Sequence, residues 1–325
     1  MLKRLLLAAA LATVGVTSAE AQDQVTIRVG YSPGGSYDMI ARLVADKLGS
    51  KLPGNPSVVV SNEPGAGSKK LAKLFQAAGA TDGSELAVIS SALALSPIFD
   101  PESTDFDPTK VHYIAALNNE GSYCITSKSS GITTVQQLLT SEFKVGATGK
   151  DSTTYIFPAA IKKAFGAKFD IVVGFEGAAE IDLAMERGDL QARCGIGRTT
   201  LYQGDMMSRV NIVMEMAEAP THDFEGVDFV LEHVTDPEIA AALRLVFSSN
   251  AIHQPFVVPP GTPPELVEML RAAFVDMIAD PTFASEAAAR GIYYSLTPGA
   301  EVEAKIAANI AQPESVKALA RSFAE

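Results

Sequence analysis

The sequence has no second long hydrophobic run after its first residues. Leu5 to Val16 is apolar but too short to span a bilayer, and no later segment approaches the roughly 20 apolar residues of a transmembrane helix. Lys3 and Arg4 precede this run, and Ala19-Glu20-Ala21 follows it. The pattern predicts a secretory signal peptide over residues 1–21 and an exported, periplasmic mature chain. No lipobox-like cysteine lies near the cleavage site, so we expect a freely diffusing protein and not a lipid-anchored one. We also expect it to be a monomer.

The sequence has fewer basic than acidic side chains. Without residues 1–21, the chain keeps 24 basic and 37 acidic side chains, a net charge of −13. Nucleic-acid binding depends on clustered Lys and Arg that neutralise phosphates, so this balance argues against a nucleic-acid partner. It does not exclude a small anionic ligand, because surface charges beyond roughly 8 Å are screened whereas amides at a helix start act at contact distance.

Metal-ligand patterns are also missing. The four histidines are scattered along the chain, and neither of the two cysteines belongs to a C-x-x-C pair. We therefore expect no metal and no cofactor. Cys124 and Cys194 both fall in predicted strands. In an oxidising compartment an even count favours a disulfide between them over two buried free thiols, although the sequence does not make the strands neighbours.

The most informative segment is a strand that becomes a helix through a glycine-rich turn. The apolar strand Val25 to Tyr31 breaks at Ser32-Pro33-Gly34-Gly35-Ser36-Tyr37-Asp38. The glycines let the backbone turn without Cβ clashes, Ser36 can cap the helix, and the first N–H groups of the helix have no intrahelical partner. A carboxylate or phosphate would satisfy these groups, although a tight turn of this kind also favours Gly and Ser for structural reasons alone.

A second copy of this pattern favours ligand binding. Phe143 to Ala147 is a predicted strand, Thr148-Gly149-Lys150-Asp151-Ser152-Thr153-Thr154 is the turn, and a helix follows. Two such units predict two lobes that close on one ligand.

Strand-like runs alternate with helical patterns throughout, which predicts parallel-rich mixed sheets flanked by helices. The polar segment Asn118-Asn119-Glu120-Gly121 is the predicted first hinge, and the return crossing is predicted near Asn250 to Pro255. The mature chain then divides into lobe 1 (first part) over 22–121, lobe 2 over 122–249, and a return to lobe 1 with C-terminal helices over 250–325, where the assignment of 295–325 stays open.

Two motifs are typical of enzymes. Gly30-Tyr31-Ser32-Pro33-Gly34 matches the G-x-S-x-G nucleophile elbow, but the oxyanion hole of that motif needs the N–H of the residue after the serine, and proline has none. Gly149-Lys150 resembles part of a P-loop, but Asp151 stands where Ser or Thr must ligate magnesium. We predict no enzymatic activity. A periplasmic hydrolase that uses Ser32 is the alternative.

Longer segments resemble a known family. Tyr31 to Asp38, then Val60 to Gly67, Gly174-Phe175-Glu176-Gly177 and Pro255 to Pro263 resemble the periplasmic receptors of the tripartite tricarboxylate transporters, the Bug-type solute-binding proteins. The matches follow the expected order over nearly all of the mature chain. The resemblance implies an α/β, two-lobe periplasmic-binding-protein fold, type II-like, with a hinge between the lobes.

The resemblance also implies a function. Such a protein captures a small organic acid in the interlobe cleft and delivers it to a permease with one large and one small membrane subunit. A ligand-sensing module that serves a signalling receptor is a further alternative, because both would use the same closed surface.

Carried over residue by residue, the resemblance places ligand contacts in both lobes. The implied ligand-binding residues are Gly34, Gly35, Ser36 and Asp38 in lobe 1, and Gly149, Ser152, Thr153 and Gly177 in lobe 2. Ser90 and Ser91, at the carboxyl end of a predicted strand, are further candidates. Asp38 either stabilises the turn or contacts an ammonium or hydroxyl group of the ligand. Asp151 either points to solvent or excludes highly charged acids.

Overall fold

The computed structural model describes residues 22–118 and 121–324. The predicted signal peptide, residues 1–21, lies outside the described residues, and so do Asn119 and Glu120 at the centre of the predicted first hinge. Within the described ranges, no helix combines the length and apolar content that crossing a membrane would require.

Lobe 1 is built on a six-stranded mixed sheet. Its strands are β1 (Gln24–Val29), β2 (Ser57–Asn62), β3 (Glu85–Val88), β4 (His112–Asn118), β11 (His253–Val258) and β12 (Thr297–Pro298). The order across the sheet is β12-β4-β11-β3-β1-β2. β1 pairs in parallel with β2 and β3, as strands joined by helical crossovers do.

Lobe 2 is built on a second six-stranded mixed sheet. Its strands are β5 (Ser122–Ser127), β6 (Lys144–Ala147), β7 (Asp170–Val173), β8 (Ala192–Ile196), β9 (Val210–Met216) and β10 (Asp228–Phe229). The order is β10-β9-β5-β8-β6-β7. β5 and β11 are the first strands after each crossing between the lobes, and both run antiparallel to their neighbours. The prediction of two mixed sheets flanked by helices is confirmed.

Helices cover both sheets. Those packed in lobe 1 are α1 (Ser36–Leu48), α2 (Lys69–Ala78), α10 (Pro264–Ala279), α11 (Pro281–Ala289) and α12 (Gly299–Ile310). Those packed in lobe 2 are α4 (Val135–Thr140), α5 (Thr153–Phe165), α6 (Ala178–Glu186), α7 (Arg198–Leu201), α8 (Met206–Arg209), α9 (Pro237–Phe247) and α13 (Glu314–Ala324), and the short α3 (Ser96–Phe99) contacts α13.

The first helix shows why the sequence folds this way. Ile40, Leu43, Val44 and Leu48 of α1 recur at helical spacing and are all buried, so one face of α1 covers the lobe 1 sheet.

The chain returns from lobe 2 to lobe 1 through a short 3₁₀ helix, Ser248–Ile252. Within it, Asn250 accepts a hydrogen bond from the Ser122 hydroxyl at 2.8 Å and donates one to the Met216 carbonyl at 2.8 Å. The last helix does not stay with lobe 1. α13 packs against α5 and α9, because its buried Ala320 and Phe323 belong to the lobe 2 core.

Lobe 2 contains a disulfide. β5 and β8 are neighbours, and the structure joins Cys124 of β5 to Cys194 of β8 across a sequence separation of 70.

Candidate ligand-binding site

The two strand-turn-helix units face each other across the gap between the lobes. The N–H of Ser32 in lobe 1 donates to the carbonyl of Glu176 in lobe 2 at 3.2 Å. Gly149 lies against Gly67 so closely that a Cβ atom on Gly149 would be 2.5 Å from the Gly67 nitrogen. These contacts join the lobes around the two predicted turns. Gly35 and Ser36 of the first turn and Ser152 and Thr153 of the second turn line one cavity.

A cavity of about 40 Å³ lies between these turns, and we call it the interlobe cavity. From lobe 1 it is lined by Tyr31, Gly35, Ser36, Tyr37 and His253. From lobe 2 it is lined by Thr148, Ser152, Thr153, Thr154, Ala178, Arg193, Gly195, Ile196, Gly197 and Thr200. Of the predicted ligand-binding residues, Gly35, Ser36, Ser152 and Thr153 line it. The other predicted residues are not among its lining residues: Gly34, Asp38, Ser90, Ser91, Gly149 and Gly177.

The first turn depends on its glycines. Gly34 has φ +91°, a conformation that side chains rarely adopt, and Gly35 precedes α1 as its N-cap residue in an extended conformation. Ser36 is therefore the first residue of the helix, and its hydroxyl makes no capping bond, so the expectation that Ser36 caps α1 is wrong. Its N–H group is one of the unpaired donors at the helix start.

Asp38 holds this turn from behind. Its carboxylate accepts hydrogen bonds from the Gly34 N–H at 2.9 Å, from Asn62 at 2.9 Å and from Arg42 at 3.0 Å. Burial works to raise the pKa of Asp38, but the bonds from Arg42, Gly34 and Asn62 outweigh it and hold the pKa below its ordinary value. Asp38 is thus ionised at neutral pH and oriented towards the turn.

The second turn is held by three buried hydroxyl groups. Ser152 is the N-cap of α5, and its oxygen accepts from the Thr154 N–H at 3.1 Å. The Thr148 hydroxyl donates to Ser152 at 2.8 Å, and the hydroxyls of Ser152 and Thr154 lie 2.6 Å apart. Because these hydroxyls bond to one another, they fix the start of α5 at the cavity wall.

A third turn closes the site. Gly177 precedes α6 and lies against Ser32, whose hydroxyl would collide with any Cβ atom at position 177. The Ser32 hydroxyl is buried and has no hydrogen-bond partner among residues 22–118 and 121–324, so nothing described there activates it as a nucleophile.

The two strand-end serines make different contacts, a local backbone bond for Ser90 and a bond to a distant side chain for Ser91. The Ser90 hydroxyl accepts from the Ala92 N–H at 3.3 Å, and the Ser91 N–H donates to the Tyr37 hydroxyl at 3.3 Å.

Sequence reasoning missed the aromatic wall of the cavity. The rings of Tyr31 and Tyr37 lie 4.7 Å apart between centroids, and those of Tyr37 and His253 lie 5.1 Å apart. Burial lowers the pKa of His253 to about 4, so its imidazole is neutral at physiological pH. The two tyrosines flank the glycine turn in the sequence, which is a usable signal. His253 is the first residue of β11, and no sequence feature around it indicates that it lines a site.

Arg193 was missed as well. It is 2% exposed, lies in β8, and donates through Nη1 to the Asp182 carboxylate at 2.6 Å and to the Ala178 carbonyl at 3.1 Å. An arginine within a predicted buried strand could have indicated a special role, because a buried charge needs a partner.

A larger groove of about 490 Å³ lies elsewhere on lobe 2, and it suits an anion poorly. Three of its lining residues are acidic: Asp182, Glu186 and Asp205. Its arginine, Arg209, is paired with Glu186 and with Asp205. The described residues contain no group of three or more His, Cys, Asp or Glu side chains that could hold a metal ion.

No protein-family model and no curated protein matches the sequence. Solved structures do match. The periplasmic binding protein BugD gives a TM-score of 0.74 at 16% identity, covering 92% of this chain and 97% of that chain. An R. palustris protein with adipate gives 0.72 at 17% identity, covering 91% and 97%. MatC from Rhodopseudomonas palustris, with bound malate, gives 0.72 at 16% identity, covering 93% and 99%.

At these identities the likeness shows the fold, and the fold agrees with the prediction. The chain has the two-lobe α/β fold of the periplasmic binding proteins.

Proposed function

We propose that this protein is a periplasmic solute-binding protein of the Bug type, which captures a small organic acid in the interlobe cavity. It then delivers the acid to a tripartite tricarboxylate-type membrane transporter. The observation that carries the proposal is that the starts of two helices, α1 from lobe 1 and α5 from lobe 2, line one cavity.

Helix starts attract carboxylates for two physical reasons. Their first N–H groups lack intrahelical partners, and the aligned peptide dipoles place a partial positive charge of roughly 0.5 at the N-terminal end of each helix. α1 and α5 each span 13 residues. One helix end stabilises an anion by roughly 0.3–1 kcal/mol, so useful affinity also requires hydrogen bonds and the burial of the ligand by closure.

The charge around the cavity favours a singly or doubly charged acid. Arg193 is the charged side chain among the cavity-lining residues that the structure describes, and Asp182 compensates part of its charge. Adipate and malate, found with two structures of the same fold, are dicarboxylates. A tricarboxylate would exceed the positive charge on offer, so citrate should bind more weakly than malate.

The size of the cavity implies movement. Ligand pockets typically measure about 300–1,000 Å³, whereas the interlobe cavity measures about 40 Å³. We infer that the lobes separate to admit the acid and then close on it, since a ligand shifts an equilibrium only towards the state that it binds more tightly.

Export and delivery follow from the same proposal. The apolar run and cleavage pattern over residues 1–21 support secretion, and the resemblance of the turn motifs to Bug-type receptors supports a permease with a large and a small subunit as partner. We further infer that Ser32 has no catalytic role. The Ser32→Ala variant should bind ligand as the wild type does, and turnover of an ester that this variant loses would favour the hydrolase instead.

Calorimetric titration with acetate, lactate, succinate, malate, adipate, citrate and a set of amino acids tests the binding function. The wild type should bind at least one acid, and no binding across all acids would contradict the proposal.

A matched pair of variants tests the helix start. Ser36→Pro removes one N–H at the first helical position, where proline costs the helix little, whereas Ser36→Ala removes the hydroxyl and keeps the N–H. Binding should weaken by about 10- to 100-fold in the first variant, the loss expected for one hydrogen bond to a charged group, and be kept in the second. Equal affinity in both variants would remove this turn from the site.

A further inference from the structure

The Arg193 side chain lines the interlobe cavity, and one of its N–H donors has no partner among the described residues. Its Nη1 is occupied by Asp182 and by the Ala178 carbonyl. Its Nε is buried and has no hydrogen-bond partner among the described residues, and the side chain lines the interlobe cavity. A buried charged donor without a partner is costly, so a structure that keeps one at a cavity wall favours an acceptor that arrives with the ligand.

We propose that Arg193 is the specificity-determining cation of the site, and that its Nε edge binds a carboxylate oxygen of the ligand when the lobes close. This inference rests on the proposed function. The planar guanidinium is well suited to the role, because it presents its N–H donors in a fixed fork that matches a carboxylate.

The groups around Arg193 hold its guanidinium in a fixed orientation. Asp182 orients the guanidinium from the α6 side at 2.6 Å, so the donor needs no large rearrangement to meet a ligand. Ala178, whose carbonyl binds the same Nη1, also lines the cavity at the start of α6. The cation and the helix start therefore face one small space, where a carboxylate is removed from water and a charged hydrogen bond is stronger than at the surface.

The opposite view is that the Arg193–Asp182 pair only holds α6 in place. The two views predict different results for one variant. Asp182→Asn keeps a hydrogen-bond acceptor for Nη1 but removes a negative charge beside the cavity. If Arg193 binds the ligand, this variant should bind an acid more tightly, by about threefold, because the site becomes more positive. If the pair is only structural, the variant should bind with unchanged affinity, or less tightly where α6 shifts.

The experiment measures affinity by calorimetry for whichever of succinate, malate and adipate binds the wild type most tightly, with thermal unfolding of each variant alongside. The variants are Asp182→Asn and the double variant Arg193→Gln, Asp182→Asn, which leaves no unpaired buried charge. The double variant should bind about 10- to 100-fold more weakly, which is the loss expected for one hydrogen bond to a charged group.

The outcomes separate the two proposals. The role of Arg193 is overturned, and the binding function stands, if the wild type binds an acid and the double variant binds it equally well. The same holds if Asp182→Asn weakens binding or leaves it unchanged. If the wild type binds none of the acids, the proposed function fails and the role of Arg193 fails with it. If the double variant does not fold, the sign of the change in Asp182→Asn decides alone.

Discussion

Gly149 of lobe 2 and Gly67 of lobe 1 meet across the cleft with no room for a side chain on either. A Cβ atom at Gly149 would lie 2.5 Å from the Gly67 nitrogen, and one at Gly67 would lie 2.8 Å from the Cβ of Ser152. Both clashing positions involve backbone or a buried side chain, which cannot move aside. The contact exists only when the lobes are together, so it reports on closure.

The Gly149→Val variant should therefore fold but fail to close. We expect affinity for the acid to fall by about tenfold or more, since the binding energy that closure adds is lost. Small-angle scattering with saturating ligand should give a larger radius of gyration for the variant than for the wild type. The neighbouring Lys150→Ala variant is the control, because Lys150 is exposed and makes no contact of this kind. A closed, tightly binding Gly149→Val protein would contradict the assignment of this contact.

The two turns could be predicted from the sequence because glycine and the helix starts act locally. The bends at Gly34 and Gly149, the helix faces and the strand order within each βα unit all follow from spacing and backbone chemistry. The cap of α1 was misassigned, because an extended Gly35 ends the turn one residue before Ser36. The local sequence pattern did not show whether Gly35 or Ser36 is the N-cap residue.

The remaining parts of the site depend on tertiary packing. Arg193 and His253 reach the cavity from strands that are far apart in sequence, and nothing near either residue indicates their meeting. The position of α13 has the same cause. The sequence pattern of its apolar face does not show which lobe it packs against. The structure shows that Phe323 is buried in the lobe 2 core.

A salt bridge across the cleft should make a small contribution to closure. Lys69 of lobe 1 lies 3.4 Å from the Asp151 carboxylate of lobe 2, and both side chains are partly exposed. Burial raises the pKa of Asp151, although Lys69 opposes this shift. Partly exposed pairs contribute about 0.2–1 kcal/mol, so Lys69→Met should weaken ligand binding by no more than about fivefold.

The matched control is Lys73→Met, which breaks the bridge between Lys73 and Asp105 within lobe 1. It should leave affinity unchanged in the same titration. A loss above about thirtyfold in Lys69→Met would place Lys69 at the ligand rather than at the lobe interface.

Removal of the disulfide should destabilise lobe 2. The bond between Cys124 and Cys194 closes a loop with a sequence separation of 70, and the loss of such a constraint on the unfolded chain costs about 4 kcal/mol. Urea unfolding of the Cys124→Ala, Cys194→Ala variant should show a lower midpoint and a steeper slope, because the unfolded chain without the crosslink exposes more surface. Reduction of the wild type should produce the same shift, and reduction of the variant should produce none. Identical midpoints for oxidised and reduced wild type would contradict this prediction.

The protein should lose stability as the pH falls from 6.5 to about 4, because the buried His253 resists protonation in this range. Burial lowers the pKa of this imidazole from 6.5 to about 4 in the folded protein. As the pH falls below 6.5, His253 becomes protonated in the unfolded chain but stays neutral in the folded protein. The free energy of unfolding therefore decreases until the pH reaches the pKa of His253 in the folded protein. The full difference corresponds to about 3 kcal/mol, present above pH 6.5 and lost by about pH 4.

Thermal unfolding of the wild type and of His253→Gln from pH 7.5 to pH 4 measures this effect. The wild type should lose stability steadily below pH 6.5, and the variant should have a flatter profile over the same window. Carboxylates with lowered pKa values, such as Asp38, lose their contribution only as the pH falls through their folded values, below this window. His222→Asn serves as control, because His222 is exposed and asparagine tolerates its φ of +59°. Parallel profiles for the wild type and His253→Gln would mean that the imidazole is not held neutral, and the aromatic wall of the interlobe cavity would then carry a positive charge at mildly acidic pH.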